Sequence, residues 1–514
     1  LPLKDVCDQL IECYLRTYET VYRILHIPTF KKDYDAFWAH PNGSSVMFLV
    51  QLKLVLAIGA TTYDERFSLR SAAIRWVYET QTWISEPEFK SRLSIQYLQT
   101  NLLLLLARET TAVGQDMVWI SAGALLRTAI HMGLHRDPAR LPKRTPFYIE
   151  MRRRLWNTIL EISLQSSLHS GGPPLVSLEY FDTEPPRNFD DDQLLTEDPT
   201  PKPEECFTQA SIAIALRKTL AIRLAIANSL NNLCSHNTYE ETLSLDTELR
   251  VAHKTLSQSL HSWTSSHGRP PSKFAIRVVD LLMRRYLASL HIPFFGPGLH
   301  ETAFAFSRKV VIDTSLKIWC ASYPSSTIMA AQSRNVAISP AGCDDFERLV
   351  INGSGFFRIA AIQAVFLIAM ELKTQLQEEE SLGPVPLRPD LLSVLEDAKT
   401  WSLKCSEAGE TNIKGYLLIS LVSAQIEGLM RGLTKDEFPA LLVKAAEHTG
   451  EKCLPMLERM MIQSQTEGVV AGPDRTGLNA MPELTEDWDN MVSQGIFREL
   501  GHYLQSIADA KWPI

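Results

Sequence analysis

Apolar residues return every three or four positions along nearly the whole chain, and that spacing confines it to helices. Cys7, Leu10, Ile11, Tyr14, Leu15, Tyr18, Val21 and Tyr22 fall on one face of a single predicted helix. The same period covers 46–60, 93–107, 117–132, 149–168, 210–233, 243–263, 274–291, 304–319, 356–376, 391–403, 416–433, 438–462 and 491–507. Alternating apolar runs closed by turn pairs, the mark of strands, are not found. The pattern predicts an all-α fold, a large body of about fifteen helices with no significant sheet.

Proline and glycine punctuate this pattern. Residues 171–174 end one helix with glycines and follow with prolines that cannot continue it. The proline-rich stretch 185–203 carries the acidic run Asp190, Asp191 and Asp192 and reads as a long irregular connection. A further turn is predicted at 265–271, and loops at 325–345, 379–389 and 467–486. We place a domain boundary near Pro271, with a first domain over 1–270 and a helical region over 271–514 packed on it. No internal repeat of fixed period is evident.

Charge and cysteine usage narrow the function. With 51 Lys and Arg against 59 Asp and Glu, the net charge is −8. A DNA reader needs a concentrated basic surface, whereas the basic clusters here are short, at 152–154 and 284–285. DNA contact is therefore expected to come from outside this chain. The 8 cysteines form no C-x-x-C pair, so no zinc site is visible and no metal ligand is assigned. Scattered single cysteines fit buried, reduced thiols. Taken as the longest apolar stretch, 359–370 is interrupted by Gln363 and too short to cross a bilayer, so no membrane partner is expected. The first residue is Leu1 rather than Met, and further chain is expected upstream of it.

Four segments carry a resemblance. The first is 22–30 (YRILHIPTF), with His26, Pro28 and Phe30, followed by Tyr34, Phe37 and Trp38. The second is 123–138 (GALLRTAIHMGLHRDP), with His131, Gly133, His135, Arg136, Asp137 and Pro138. The third contains Glu150, Arg153, Arg154, Trp156, Gly171 and Pro173, and continues into 181–190 (FDTEPPRNFD) with Asp182 and Pro185. The fourth is 287–295 (LASLHIPFF). In this order they resemble the fungal-specific transcription factor domain, the middle homology region of zinc binuclear cluster regulators.

The resemblance implies a nuclear regulator of RNA polymerase II transcription that is not an enzyme. It implies a zinc-bearing DNA-binding domain upstream of residue 1, while this chain itself holds no cofactor. A small-molecule effector, a second copy of the chain, and coactivators or repressors are the implied partners. A helical scaffold for dimerisation or docking is the alternative reading, with an α-helical enzyme a weaker one. The chain departs from the family in having Asn157, Ser163 and Gly172 where an aromatic, an aspartate and an arginine are common.

The motif residues themselves read as packing and capping devices. Gly133 suits a left-handed helix cap, Leu134 can fold back on it, and Pro138 blocks continuation. Glu150 lies three and four residues before Arg153 and Arg154, the spacing of ion pairs on one helix. Arginines beside Trp156 in a core helix point to a buried network.

Sharper chemistry is poorly served. His131 and His135 have metal-pair spacing, but Met132 stands where a zinc peptidase needs glutamate. The segment 352–355 (NGSG) lacks the first glycine of a nucleophile elbow, and Ser354 reads instead as the N-cap of the next helix. The run at 190–192 lacks the helical spacing of a metal-binding acidic motif and reads as a solvated loop.

Overall fold

A computed structural model describes residues 1–40, 43, 45–86, 93–114, 117–140, 144–232, 238–265, 270–324, 344–377 and 387–469. Among these there are seventeen α-helices of eight residues or more, two single-turn ones, and no strand. The chain is all-α. The helix predicted over 491–507 lies outside the described residues, as do most of the loops at 325–345 and 379–389.

The chain forms two compact units. The first comprises Leu1–Leu290 with Gly353–Phe357 and the described part of Cys343–Leu349; the second comprises His291–Gly342, Val350–Asn352 and Arg358–Ile514, again in their described parts. Unit 1 holds α1 (Lys4–Arg16), α2 (Tyr18–Val21), α3 (Ile27–Ala39), α4 (Val46–Tyr63), α5 (Arg70–Ile84) and α6 (Ile95–Thr111). It continues with α7 (Val118–His131), α8 (Pro146–Ser170), α9 (Ser211–Lys218), α10 (Leu220–Leu230), α11 (Tyr239–Ser265) and α12 (Lys273–His291). The remaining helices are α13 (Phe295–Gly298), α14 (Ala305–Ser322), α15 (Asp345–Asn352), α16 (Phe356–Gln377), α17 (Pro389–Glu407), α18 (Lys414–Met430) and α19 (Phe438–Val469).

In unit 1, α4 packs against α1, α5 and α6, and α8 packs against α6, α7, α9 and α10. Val46–Tyr63 is 18 residues long and apolar enough by length and composition to cross a membrane. It is a longer apolar stretch than 359–370, but 72% of it is buried within the protein, as a core helix requires. Helix α8 is different in kind. Every residue from Glu150 to Leu168 is buried, although the segment holds three arginines, two glutamates and several amides and hydroxyls. A helix buried all round with that composition needs partners for its charges.

In unit 2, α17 packs on α14 and α18, and α18 on α19. Trp319 and Trp401 meet edge to face at 5.7 Å between α14 and α17. Ion pairs such as Arg308 with Glu371 (2.8 Å) and Arg388 with Asp313 (3.3 Å) sit nearer the surface.

Several boundaries differ from the periodic reading. The run 7–22 is broken at Thr17, whose hydroxyl donates to the Cys13 carbonyl (2.5 Å) and ends α1. The run 210–233 is two helices that meet at Thr219. Helices α3, α5 and α15 were not separated from their surroundings by apolar period. Helix α19 runs through Pro455 to Val469, into the start of the loop predicted at 467. Ser354 does not cap α16. Its hydroxyl donates to the Glu109 carbonyl, while a Glu109 carboxylate oxygen accepts from the Phe356 N–H (2.8 Å). The capping oxygen comes from another helix.

Candidate regulatory core: a buried ionic hub

Asp191 is the centre of the polar interior. It begins a short 3-10 turn over Asp191–Leu195, and its side chain is 1% exposed. Arg23 Nη2 and Arg154 Nη1 both donate to its Oδ1, at 2.5 and 2.6 Å. The Ile27 N–H donates to its Oδ2 (2.8 Å), and His26 Nε2 lies 2.9 Å from its carbonyl oxygen. The acidic run is therefore not a solvated loop at this position. Asp192 is exposed and Asp190 pairs with Lys202 (2.6 Å), but Asp191 turns inward because two buried guanidinium groups require it.

Two more carboxyls complete the hub. Glu19 accepts from the Tyr14 hydroxyl (2.6 Å) and the Leu25 N–H (3.1 Å), and lies 3.3 Å from Arg23. Glu150 lies 3.6 Å from Arg154 and accepts from the Arg187 N–H (3.0 Å). Burial pushes Asp191 up, but Arg23 and Arg154 outweigh it and hold the carboxyl well below the usual range. Burial also pushes Glu19, and here it wins against Arg23 and Tyr14, raising the group to about 8. Two guanidinium groups thus face three carboxyls. A proton kept on Glu19 leaves the cluster electrically neutral, the state a low-dielectric interior favours.

A second station lies at the end of α7. The Leu134 N–H donates to Ala129 O and the Gly133 N–H to Ile130 O, both at 2.9 Å, with Gly133 at φ 75°. This is a Schellman cap, and it buries Leu134 completely. The turn delivers Asp137 to Arg153, which donates from Nε (3.0 Å) and Nη2 (2.8 Å). Arg153 also reaches Glu184 (3.0 Å), so its partners are Asp137 and Glu184 rather than Glu150. Burial raises Asp137, but Arg153 and the N–H groups of Glu184 and Ala139 outweigh it and lower the carboxyl. Asp182 accepts from the Asp137 N–H (2.7 Å) and from Arg140 (2.8 Å), with Arg136 at 3.6 Å. Its own N–H donates to His135 O (3.0 Å).

The third station extends α8 toward its C-terminus. Arg223 grips both oxygens of Glu161 at 2.6 and 2.7 Å. Gln165 donates to Glu161 (2.7 Å) and accepts from the Tyr22 hydroxyl (2.8 Å). Trp156 meets Phe181 edge to face at 5.5 Å, and Arg217 lies over the same Phe181 ring at 4.9 Å.

The first three motif segments therefore meet at α8, whereas the fourth, 287–295, lies at the end of α12 and in the turns that follow it. His26, Glu150 and Arg154 belong to the Asp191 hub, and Asp137, Arg153 and Asp182 to the second station. Pro28 starts α3 and Phe30 packs on Phe48 (5.6 Å), both outside the network. Pro138 is buried at the start of a 3-10 turn. Gly171 ends α8 at φ 67°, and Pro173 and Pro185 are exposed. Gly133 separates His131 from His135, and no grouping of three metal-ligating side chains occurs among the described residues. Gly172 is pressed on the Trp119 indole: a Cβ there would lie 2.7 Å from the ring. Tyr14, Glu19, Arg23, Asp191, Glu161 and Arg223 escaped sequence reading, since nothing in their spacing announces a partner so far along the chain.

Comparison with known proteins agrees with this convergence. Residues 11–265 match the family model of the fungal specific transcription factor domain, which spans all three stations. The chain is 35% identical over 507 residues to transcription factor opdR of Penicillium oxalicum, covering 92% of this chain and 62% of that protein. It is 34% identical over 472 residues to transcription factor lepE of Aspergillus flavus (88% and 55%). It is 32% identical over 409 residues to the aspyridones cluster regulator apdR of Emericella nidulans (76% and 54%). The chain spans less than two thirds of the length of each of these relatives. Residues 11–265 belong to the fungal specific transcription factor domain family.

Proposed function

We propose that this chain is the regulatory, effector-responsive body of a zinc-cluster transcription factor that controls RNA polymerase II transcription of a biosynthetic gene cluster. The observation that supports it is the first three family segments, drawn together on α8 within a domain shared with named transcription factors and cluster regulators. In this reading an upstream domain holds zinc and reads DNA in the nucleus. The acidic balance of the present chain, −8, suits a body that leaves phosphate contact to another module. The chain performs no catalysis. It holds or releases a surface for coactivators or repressors, alone or as a homodimer, as a small molecule shifts its conformational balance. Such a shift requires that the ligand bind one conformation better than the other.

The test is transcript measurement in the native host. Deleting the gene should silence or derepress one contiguous set of biosynthetic genes. Restoring it without residues 1–469 should leave binding to the target promoter intact and abolish the normal response. Unchanged cluster transcripts in the deletion strain would overturn the proposal.

A further inference from the structure

Five arginines of the described chain are 2% exposed or less: Arg23, Arg153, Arg154, Arg223 and Arg285. The first four each grip a carboxylate. Arg285, on α12, has no hydrogen bond and no ion pair among the described residues, and its Nε is buried without a partner. The Phe356 ring lies 6.0 Å from its guanidinium and covers it, but accepts from none of its N–H groups. A buried cation left this way is costly, and the other four show how this fold ordinarily answers that cost.

Two more unpartnered polar groups accompany it. His169, near the end of α8, packs its ring 6.5 Å from the same Phe356 and has a buried Nδ1 with no partner. Ser289 lies one helical turn after Arg285 on α12, is 2% exposed, and its Oγ is likewise unpartnered. No carboxylate of the described chain pairs with any of the three. We propose that Arg285, His169 and Ser289 form an interior binding site for a compact monoanion, the carboxylate group of a small organic acid.

The charge state fits that class. Burial pulls the Arg285 guanidinium down to about 10, so it stays charged at neutral pH. Burial, helped by the nearby Arg285 charge, pulls His169 down to about 4, so its imidazole is neutral there. The site therefore offers one positive charge, an N–H or lone pair from the imidazole, and one hydroxyl. A carboxylate matches the single charge and can accept from both the guanidinium and the hydroxyl. A dianion would bring a second charge with nothing to balance it. The regulatory meaning of the site rests on the effector-responsive reading above; the binding itself does not.

Binding is read by thermal melting of the full chain in sodium benzoate or sodium acetate, with benzamide and acetamide as uncharged controls and ionic strength held by sodium sulfate. The melting temperature should rise with the carboxylates only, by on the order of 5 °C at about a hundredfold excess over Kd. Arg285→Met should melt no lower than wild type without probe and lose the rise. Ser289→Ala, which keeps the cation, should show a weakened rise and serves if Arg285→Met does not fold. Absence of a rise in the wild type, or an equal rise in Arg285→Met, overturns the site. A carboxylate-dependent rise lost in Arg285→Met, together with reporter transcription indifferent to the same acids, would keep the site and refute the effector reading.

Discussion

The two units solve burial differently. Unit 1 runs a charged helix through its interior and answers most of its buried arginines with a carboxylate: Asp191 for Arg23 and Arg154, Asp137 for Arg153, Glu161 for Arg223. Unit 2 fills its core with aliphatic and aromatic groups, such as Trp319 on Trp401, and its ion pairs Arg308–Glu371, Arg358–Glu410 and Arg388–Asp313 each keep at least one partner within reach of water. Paired charges contribute little net stability over apolar groups of similar shape, yet removing one partner is severe. A core built that way tolerates few alternative packings. The comparison teaches that unit 1 is specified by its polar contacts and unit 2 by shape and volume.

The largest effect should fall on the hub. Asp191→Ala leaves Arg23 without an ionised partner and Arg154 with Glu150 alone at 3.6 Å, and should cost about 3–5 kcal/mol in urea denaturation. A loss below about 1 kcal/mol would mean that water reaches the hub and would erase the contrast. Glu161→Gln, which removes the charge from the Arg223 clasp but keeps the shape, should cost about 2–3 kcal/mol by the same measurement. In unit 2, Glu371→Gln, where the carboxylate is buried but its arginine partner is partly open to water, should cost about 1–2 kcal/mol. Arg388→Ala, at a pair more than one-third exposed on both sides, should leave the unfolding midpoint unchanged within error.

The pH dependence sharpens the contrast inside the hub itself. Asp191 is depressed, so its contribution is present above the ordinary carboxylate value of 3.8 and fades as pH falls through the lower folded value. Glu19 is raised from 4.5 to about 8, so the sign reverses. Its contribution is complete below 4.5 and is lost progressively as pH climbs to about 8. Glu19→Gln, neutral at every pH, should flatten the decline of stability across that interval. An unchanged slope would show that Glu19 is already ionised in the fold.

How much of this could be read from residues alone follows from the same contrast. Helical period found most of the long helices, because apolar faces repeat on a fixed angle. It passed over α5, in which Ala73, Trp76, Val77, Thr80 and Ile84 mark a buried face too thin to stand out. The cap at Gly133 was legible because its signal is local. Arg153 and Arg154 were legible as unusual residues in a core helix, as was the pairing of Glu150 with Arg154 one turn away, but not their distant partners. Asp137 lies 16 positions from Arg153, Asp191 lies 37 from Arg154, and Arg23 lies 168 from Asp191. Composition favoured a solvated reading of the acidic run, since three adjacent aspartates in a proline-rich stretch seldom have one turned inward. Only the tertiary fold distinguishes Asp191 from its neighbours.

The contact between Gly172 and Trp119 carries a consequence for descent. Position 172 admits no side chain while an indole occupies 119, so the two sites cannot drift separately. Lineages that keep arginine after the first glycine of this turn should have a smaller residue, or a displaced ring, at the place of Trp119.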